Sequence, residues 1–229
     1  MGTGIEGGAQ MSDSDTDDSP APAWRQPVLL AILVLCLVPE LLLTGADWGL
    51  WGNPRWRILA LRYGGFWSGL LHGWRSNYPG QSLSMFATYA FLHGGLVHFT
   101  VNMMALFSLG PVLGDRFGQA RLLLIYIASA LGGALGFAAL AATTQPMVGA
   151  SGALFGLAGG VIGLAWQNSR EGGAPLYPVL RAIAILAGLN LVMWLVMDGQ
   201  LAWETHLGGF VTGWIVTLWL EARAAAPDR

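Results

Sequence analysis

From Pro27 to Leu220 the chain is a series of long apolar runs separated by short polar or glycine-rich turns, and this alternation constrains its fold more than anything else in it. Six runs read as membrane spans: Pro27–Thr44, about Phe86–Leu109, about Ala120–Ala142, about Ser151–Trp166, about Tyr177–Met197 and about Trp203–Leu220. At 1.5 Å per residue the first would extend about 27 Å, enough to cross the hydrocarbon core of a bilayer. In that medium the backbone has no water to bond to, so such a run satisfies its own N–H and C=O groups as a helix. Composition agrees: 54% of residues are hydrophobic, only 10% are charged and the mean hydropathy is +0.54, whereas soluble domains carry about 25% charged residues. The expected fold is an all-α membrane protein, a six-transmembrane-helix bundle.

The flanks and the first connection differ from the spans. Residues 1–25 are rich in Gly, Ser and Asp, with an acidic stretch over Ser12–Pro20. They read as a disordered acidic tail without the basic start of a secretory signal. Residues 26–222 form the membrane domain and 223–229 a short polar tail. Residues Gly45–Met85 are too long for a structureless loop. They hold Trp48, Trp51, Trp56, Trp67 and Trp74 together with Arg55, Arg57, Arg62 and Arg75. The expectation is an interfacial first loop, with aromatic rings at headgroup depth and arginines reaching towards water. If the N-terminus is cytoplasmic, inside segments carry Arg25, Arg116, Arg121, Arg170, Arg181, Arg223 and Arg229, against the four arginines of the first loop outside. This favours both termini inside, in a cell (inner) membrane.

Several chemistries are excluded early. All 11 basic residues are arginines, so no lysine serves as a base or forms a Schiff base. The net charge of −2 and the lack of a basic, aromatic-spaced patch argue against a nucleic-acid partner. The single cysteine, Cys36, lies in mid-span and reads as a small buried hydrophobe. No metal site and no cofactor is expected, although buried histidines are the kind of group that ligates a haem.

What remains is a serine and histidines at membrane depth. Ser151 follows Gly149-Ala150 and opens the fourth span. A serine hydroxyl is a poor nucleophile until a base takes its proton, and His206, at the start of the sixth span, is the best base. The sixth span carries Gly209 and Gly213 three and seven residues after His206, and the fourth carries Gly152, Gly156 and Gly160 on a four-residue step. Two small-residue faces of this kind let helices approach closely, which would bring Ser151 to His206. A lone serine here would simply be a helix cap; the paired histidine and glycine faces outweigh that reading. Asp198 and Glu204 lie near the sixth span, but neither stands out as a third member, so a dyad is expected. His98 and Asn102, four residues apart on one face of the second span, and the Ser151 amide are candidate oxyanion donors. His93, five residues before His98, is expected to face elsewhere in a structural role, and His72 to be solvated.

The residues His93-Gly94-Gly95-Leu96-Val97-His98-Phe99-Thr100-Val101-Asn102, then Gly149-Ala150-Ser151-Gly152, then His206-Leu207-Gly208-Gly209-Phe210-Val211-Thr212-Gly213 resemble the signatures of the rhomboid intramembrane serine proteases, in order and on the second, fourth and sixth spans. The resemblance covers roughly residues 27–221. It implies Ser151 as nucleophile and His206 as its base, with His98, Asn102 and the Ser151 amide at the oxyanion. It implies Gly149 in the serine turn, Gly152, Gly209, Gly213 and His93 as structural neighbours, and no metal or cofactor. The implied partners are the lipid bilayer and transmembrane protein substrates, cleaved within their membrane segments; no oligomeric state follows. The alternative is a catalytically inactive rhomboid-like protein that binds transmembrane clients. One feature departs: where many members carry Trp-Arg just before the second helix, this chain has Ser84-Met85, while Trp56-Arg57 and Trp74-Arg75 come earlier.

Overall fold

A computed structural model describes residues 26–225. The acidic tail at 1–25 and the last four residues of the chain lie outside the described residues. Among the described residues the fold is helical throughout, with one strand-like pairing, the antiparallel bridge between Phe66 and Met147. The helices are α1 (Pro27–Asp47), α2 (Trp56–Gly64), α3 (Gln81–Thr88), α4 (Leu96–Phe117), α5 (Gln119–Leu140), α6 (Ser151–Gly172), α7 (Tyr177–Val196) and α8 (Trp203–Ala225). Short 3-10 turns at Ser68–Leu71 and Tyr89–Phe91 complete the first connection.

Six of the helices are 20 to 23 residues long. Four of these, α1, α4, α5 and α7, are apolar enough to cross a membrane on length and composition, with mean hydropathies of 2.5, 1.6, 2.0 and 2.1. The protein is a multi-pass membrane protein. The other two long helices, α6 and α8, are diluted by glycines and polar groups, yet they form the centre of the bundle and pack on each other and on α5 more closely than any other elements. Lipid tails are as apolar as leucine, so helices in a bilayer associate through close packing and polar contacts rather than through hydrophobicity. The α6–α8 seam shows the means. A Cβ on Gly209 would run into the carbonyl of Gly152, and one on Gly213 into that of Gly156. The two backbones therefore touch where every other residue type would hold them apart.

The structure moves two boundaries. The second span does not begin near Phe86. Residues 86–91 belong to α3 and the 3-10 turn, and α4 starts only at Leu96, after Gly95 with φ 144°. The span also continues through the expected turn at 110–118, past Pro111, to Phe117. Gly110 and Gly114 are buried against α1, where added side chains would strike Leu29 and Gln26. Asp115 accepts a hydrogen bond from Gln26 Nε2 (2.9 Å) and Arg116 pairs with Glu221 of α8. These tertiary contacts outweigh the breaking tendency of proline and the polarity of the run. The break before α5 is Gly118 alone, at φ 80°. Likewise α6 runs on through the expected loop to Gly172 and ends at the left-handed Gly173. Apolar length marks the thickness of the bilayer, whereas helical hydrogen bonding persists beyond it until a cap ends it.

The first connection is compactly built. Trp48, Trp51, Trp56 and Trp74 are exposed and His72 is exposed, its Nδ1–H donating to Ser68 O (2.9 Å). Arg57 overturns the expectation for the arginines of this segment: it turns inward. Its guanidinium donates to both oxygens of Glu40 in α1 (3.0 Å each), to Asp47 (2.5 Å), to Thr44 Oγ1 (3.0 Å) and to the carbonyl of His93 (2.8 Å). Its side chain is 12% exposed and that of Glu40 not at all. A carboxylate at this depth is tolerated because it is paired and hydrogen-bonded. Met85, where the Trp-Arg pair would stand, is fully buried in a second apolar cluster with Phe66, Tyr89, Ala134, Phe137 and Met147. That cluster fastens the first connection to α5 and to the segment that leads into α6.

Candidate active site

Everything with catalytic potential collects at one end of the bundle. Ser151 is the first residue of α6 and His206 the fourth of α8. The close approach of Gly152 and Gly209 sets the two helices at contact distance just beyond both residues. Ser151 Oγ and His206 Nε2 are 2.9 Å apart. The imidazole also lies flat on the Phe155 ring, one turn along α6, with centroids 4.0 Å apart and 2° between the planes. His206 is buried, and Ser151 is partly open.

The serine turn is held from the first connection. Met147 exchanges both backbone hydrogen bonds with Phe66 (2.9 Å each), and Gly149 N–H donates to Tyr89 O (2.9 Å). Gly149 sits at φ 120°, a conformation other residues avoid. A Cβ there would lie 2.8 Å from His98 Nε2 and 3.8 Å from Asn102 Nδ2. The absent side chain thus leaves room for His98 and Asn102 to face the turn that carries Ser151. Gly94 N–H donates to His98 Nδ1 (3.3 Å), so the ring proton sits on Nε2, the nitrogen aimed at the turn. Asn102 is buried, and its amide donates one hydrogen to His98 O (2.9 Å), leaving the second. The Ser151 N–H lies in the first turn of α6, where amides have no carbonyl partner within the helix.

His93 does not face away, as its spacing from His98 on one helix would require, because it precedes α4 in the loop. Its ring stands edge-on to His98 (centroids 5.2 Å) and to Phe99 (5.5 Å), and its carbonyl is the one that Arg57 grips. Neither Asp198 nor Glu204 is hydrogen-bonded to His206. The partner of its Nδ1 is Asn190 of α7, with Oδ1 at 2.5 Å. Sequence reading passed over Asn190 as one residue of an apolar span; the available signal was that it is the only strongly polar side chain in the middle of that run.

A sequence model of the Rhomboid domain matches residues 80–223, more than half of the chain and all of the elements that build this site. The chain belongs to the rhomboid family. Among its relatives, RHOMBOID-like protein 4 of Arabidopsis thaliana is 35% identical over 128 residues, which are 55% of this chain and 31% of the relative. RHOMBOID-like protein 6, mitochondrial, of the same plant is 33% identical over 143 residues, 61% of this chain and 44% of the relative. Rhomboid protease GluP of Bacillus subtilis (strain 168) is 30% identical over 129 residues, 53% of this chain and 23% of the relative. The matched region spans less than half the length of each. In this rhomboid a cleft of about 530 Å³ opens between α7 and α8, lined by Phe155, Ile183, Asn190, Trp194, His206 and Phe210 among others. Its walls are apolar apart from Asn190 and His206, so the His206 imidazole has apolar surface on one side and the serine turn on the other.

Proposed function

We propose that this protein is an intramembrane serine endopeptidase that cleaves transmembrane segments of other membrane proteins. The 2.9 Å approach of Ser151 Oγ to His206 Nε2 carries the reading, because a hydroxyl becomes a useful nucleophile when a base stands within hydrogen-bond reach. His206 takes the Ser151 proton as Oγ attacks the scissile carbonyl. The oxyanion forms against His98 Nε2–H, Asn102 Nδ2–H and the Ser151 amide. Protonated His206 then passes its proton to the leaving amine, and a water, deprotonated by the same ring, hydrolyses the acyl-enzyme. Preorganised donors of this kind contribute on the order of a hundredfold or more each in other acyl-transfer sites. Water must reach the site, which fits its position at the helix ends rather than at mid-span. The arginine distribution supports placing this end towards the outer face, with both termini cytoplasmic.

The test is labelling of detergent-solubilised protein with a fluorescent fluorophosphonate, wild type beside Ser151→Ala and His206→Ala, followed by cleavage of a transmembrane reporter. Labelling and cleavage by the wild type alone is the expected result. A folded wild type that neither labels nor cleaves would leave a client-binding rhomboid-like protein as the better reading.

A further inference from the structure

We infer that Asn190 of α7 is a positioning residue for His206, so that the working unit is Ser151–His206–Asn190 rather than a dyad; this rests on the reading of His206 as the base. For Nε2 to accept the serine proton it must be the unprotonated ring nitrogen, and the ring's single proton must then sit on Nδ1. A buried N–H needs an acceptor. The amide oxygen of Asn190 is the acceptor in place, 2.5 Å from Nδ1. If Nδ1 were the bare nitrogen, Nε2–H would point at Ser151 and the hydroxyl would have no base. Asn190 therefore selects the tautomer, and Phe155 fixes the plane in which the ring lies. When His206 takes the serine proton, the same amide oxygen holds Nδ1–H of the imidazolium.

A neutral acceptor suits this depth. An aspartate here would be a charge in the membrane region, which is costly to bury, whereas an amide offers the same oxygen without one, as in Cys-His-Asn sites. Among the described residues no acid is hydrogen-bonded to His206: α7 contains none, Glu204 of α8 and Asp198 before it are not its partners, and the single acids of α4 and α6, Asp115 and Glu171, stand at the ends of their helices away from His98 and Ser151. The residue comes from the least embedded of the six long helices, with Val179 its one buried residue. The approach of α7 to α8 at Asn190 is in this way tied to the competence of the base.

The test compares Asn190→Leu and Asn190→Asp with wild type in fluorophosphonate labelling rate and in kcat and KM for a transmembrane reporter. The leucine keeps the branched outline of asparagine but accepts nothing. Asn190→Leu should lower the labelling rate and kcat by about tenfold to a hundredfold, below the effect of losing the base itself, with KM within about twofold of wild type. Asn190→Asp should recover labelling towards wild type, with the acid limb of its pH–rate profile at higher pH, because a carboxylate beside Nδ1 favours the charged ring. In ¹⁵N-histidine NMR of the wild type, His206 should carry its proton on Nδ1. A wild type that labels while Asn190→Leu labels at the same rate, or a His206 protonated on Nε2, overturns the role of Asn190 and leaves the serine hydrolase reading standing. A wild type that does not label defeats both.

Discussion

The central pair α6 and α8 and the peripheral helix α7 invert what hydropathy would suggest. With a mean hydropathy of 2.1, α7 reads as an ideal span, yet it buries one residue. By contrast, α6 and α8 do not reach the hydropathy of a free-standing span, and they bury nine and six residues. Hydropathy reports what a helix can show to lipid, and a helix surrounded by protein is released from that demand. It is there that glycine backbones can touch and that Ser151 meets His206. The exception sharpens the point: the one polar group that α7 sends inward, Asn190, meets the imidazole of α8.

The comparison can be broken most severely at the central seam. Gly213→Leu would set a side chain against the Gly156 carbonyl, where only backbone could yield. We expect destabilisation of about 3 kcal/mol or more, seen as a lower midpoint of thermal unfolding together with loss of labelling. A smaller effect is expected at the join between α1 and the first connection. Arg57→Ala strands the fully buried Glu40 carboxylate and should lower stability by about 2 kcal/mol, less than a wholly buried pair loses because the guanidinium side of this pair is partly open; if the cause is the unpaired charge, adding Glu40→Gln should recover part of the loss. Equal stability of the single and double variants would show that Arg57 matters through His93 O instead. Val192→Ala on the exposed face of α7 should change stability by less than about 0.5 kcal/mol. A large loss there would mean that α7 is held by contacts other than those described.

Much of the site could be read from residue types and spacing. Ser151, His206 and the glycine steps suffice to bring α6 and α8 together, because in lipid small residues at helical spacing have one dominant use. His98 and Asn102 share a face for the same periodic reason. His93 was misjudged because the spacing argument holds only within a helix, and Gly94-Gly95 lie between it and α4. Arg57 was misjudged because its partners, Glu40, Asp47 and His93, are 17, 10 and 36 residues away; nothing local distinguishes an arginine that turns inward from one that reaches for water. Asn190 was passed over because polarity in a span announces a partner without naming it, and the partner is on the next helix.

The chain's own chemistry therefore determined that it crosses a membrane as helices, where the small-residue faces lie and which serine and histidine can meet. Those are consequences of short-range rules: backbone hydrogen bonds that must close within a segment and side chains that recur every three or four residues. Tertiary structure alone decided where helices end beyond the apolar slab, that a buried carboxylate is matched by an arginine of the first connection, and which nitrogen of His206 is free to act. Each of these depends on a group delivered by a distant part of the chain, and a hydrogen bond is made or lost within a few tenths of an ångström that no residue pattern encodes.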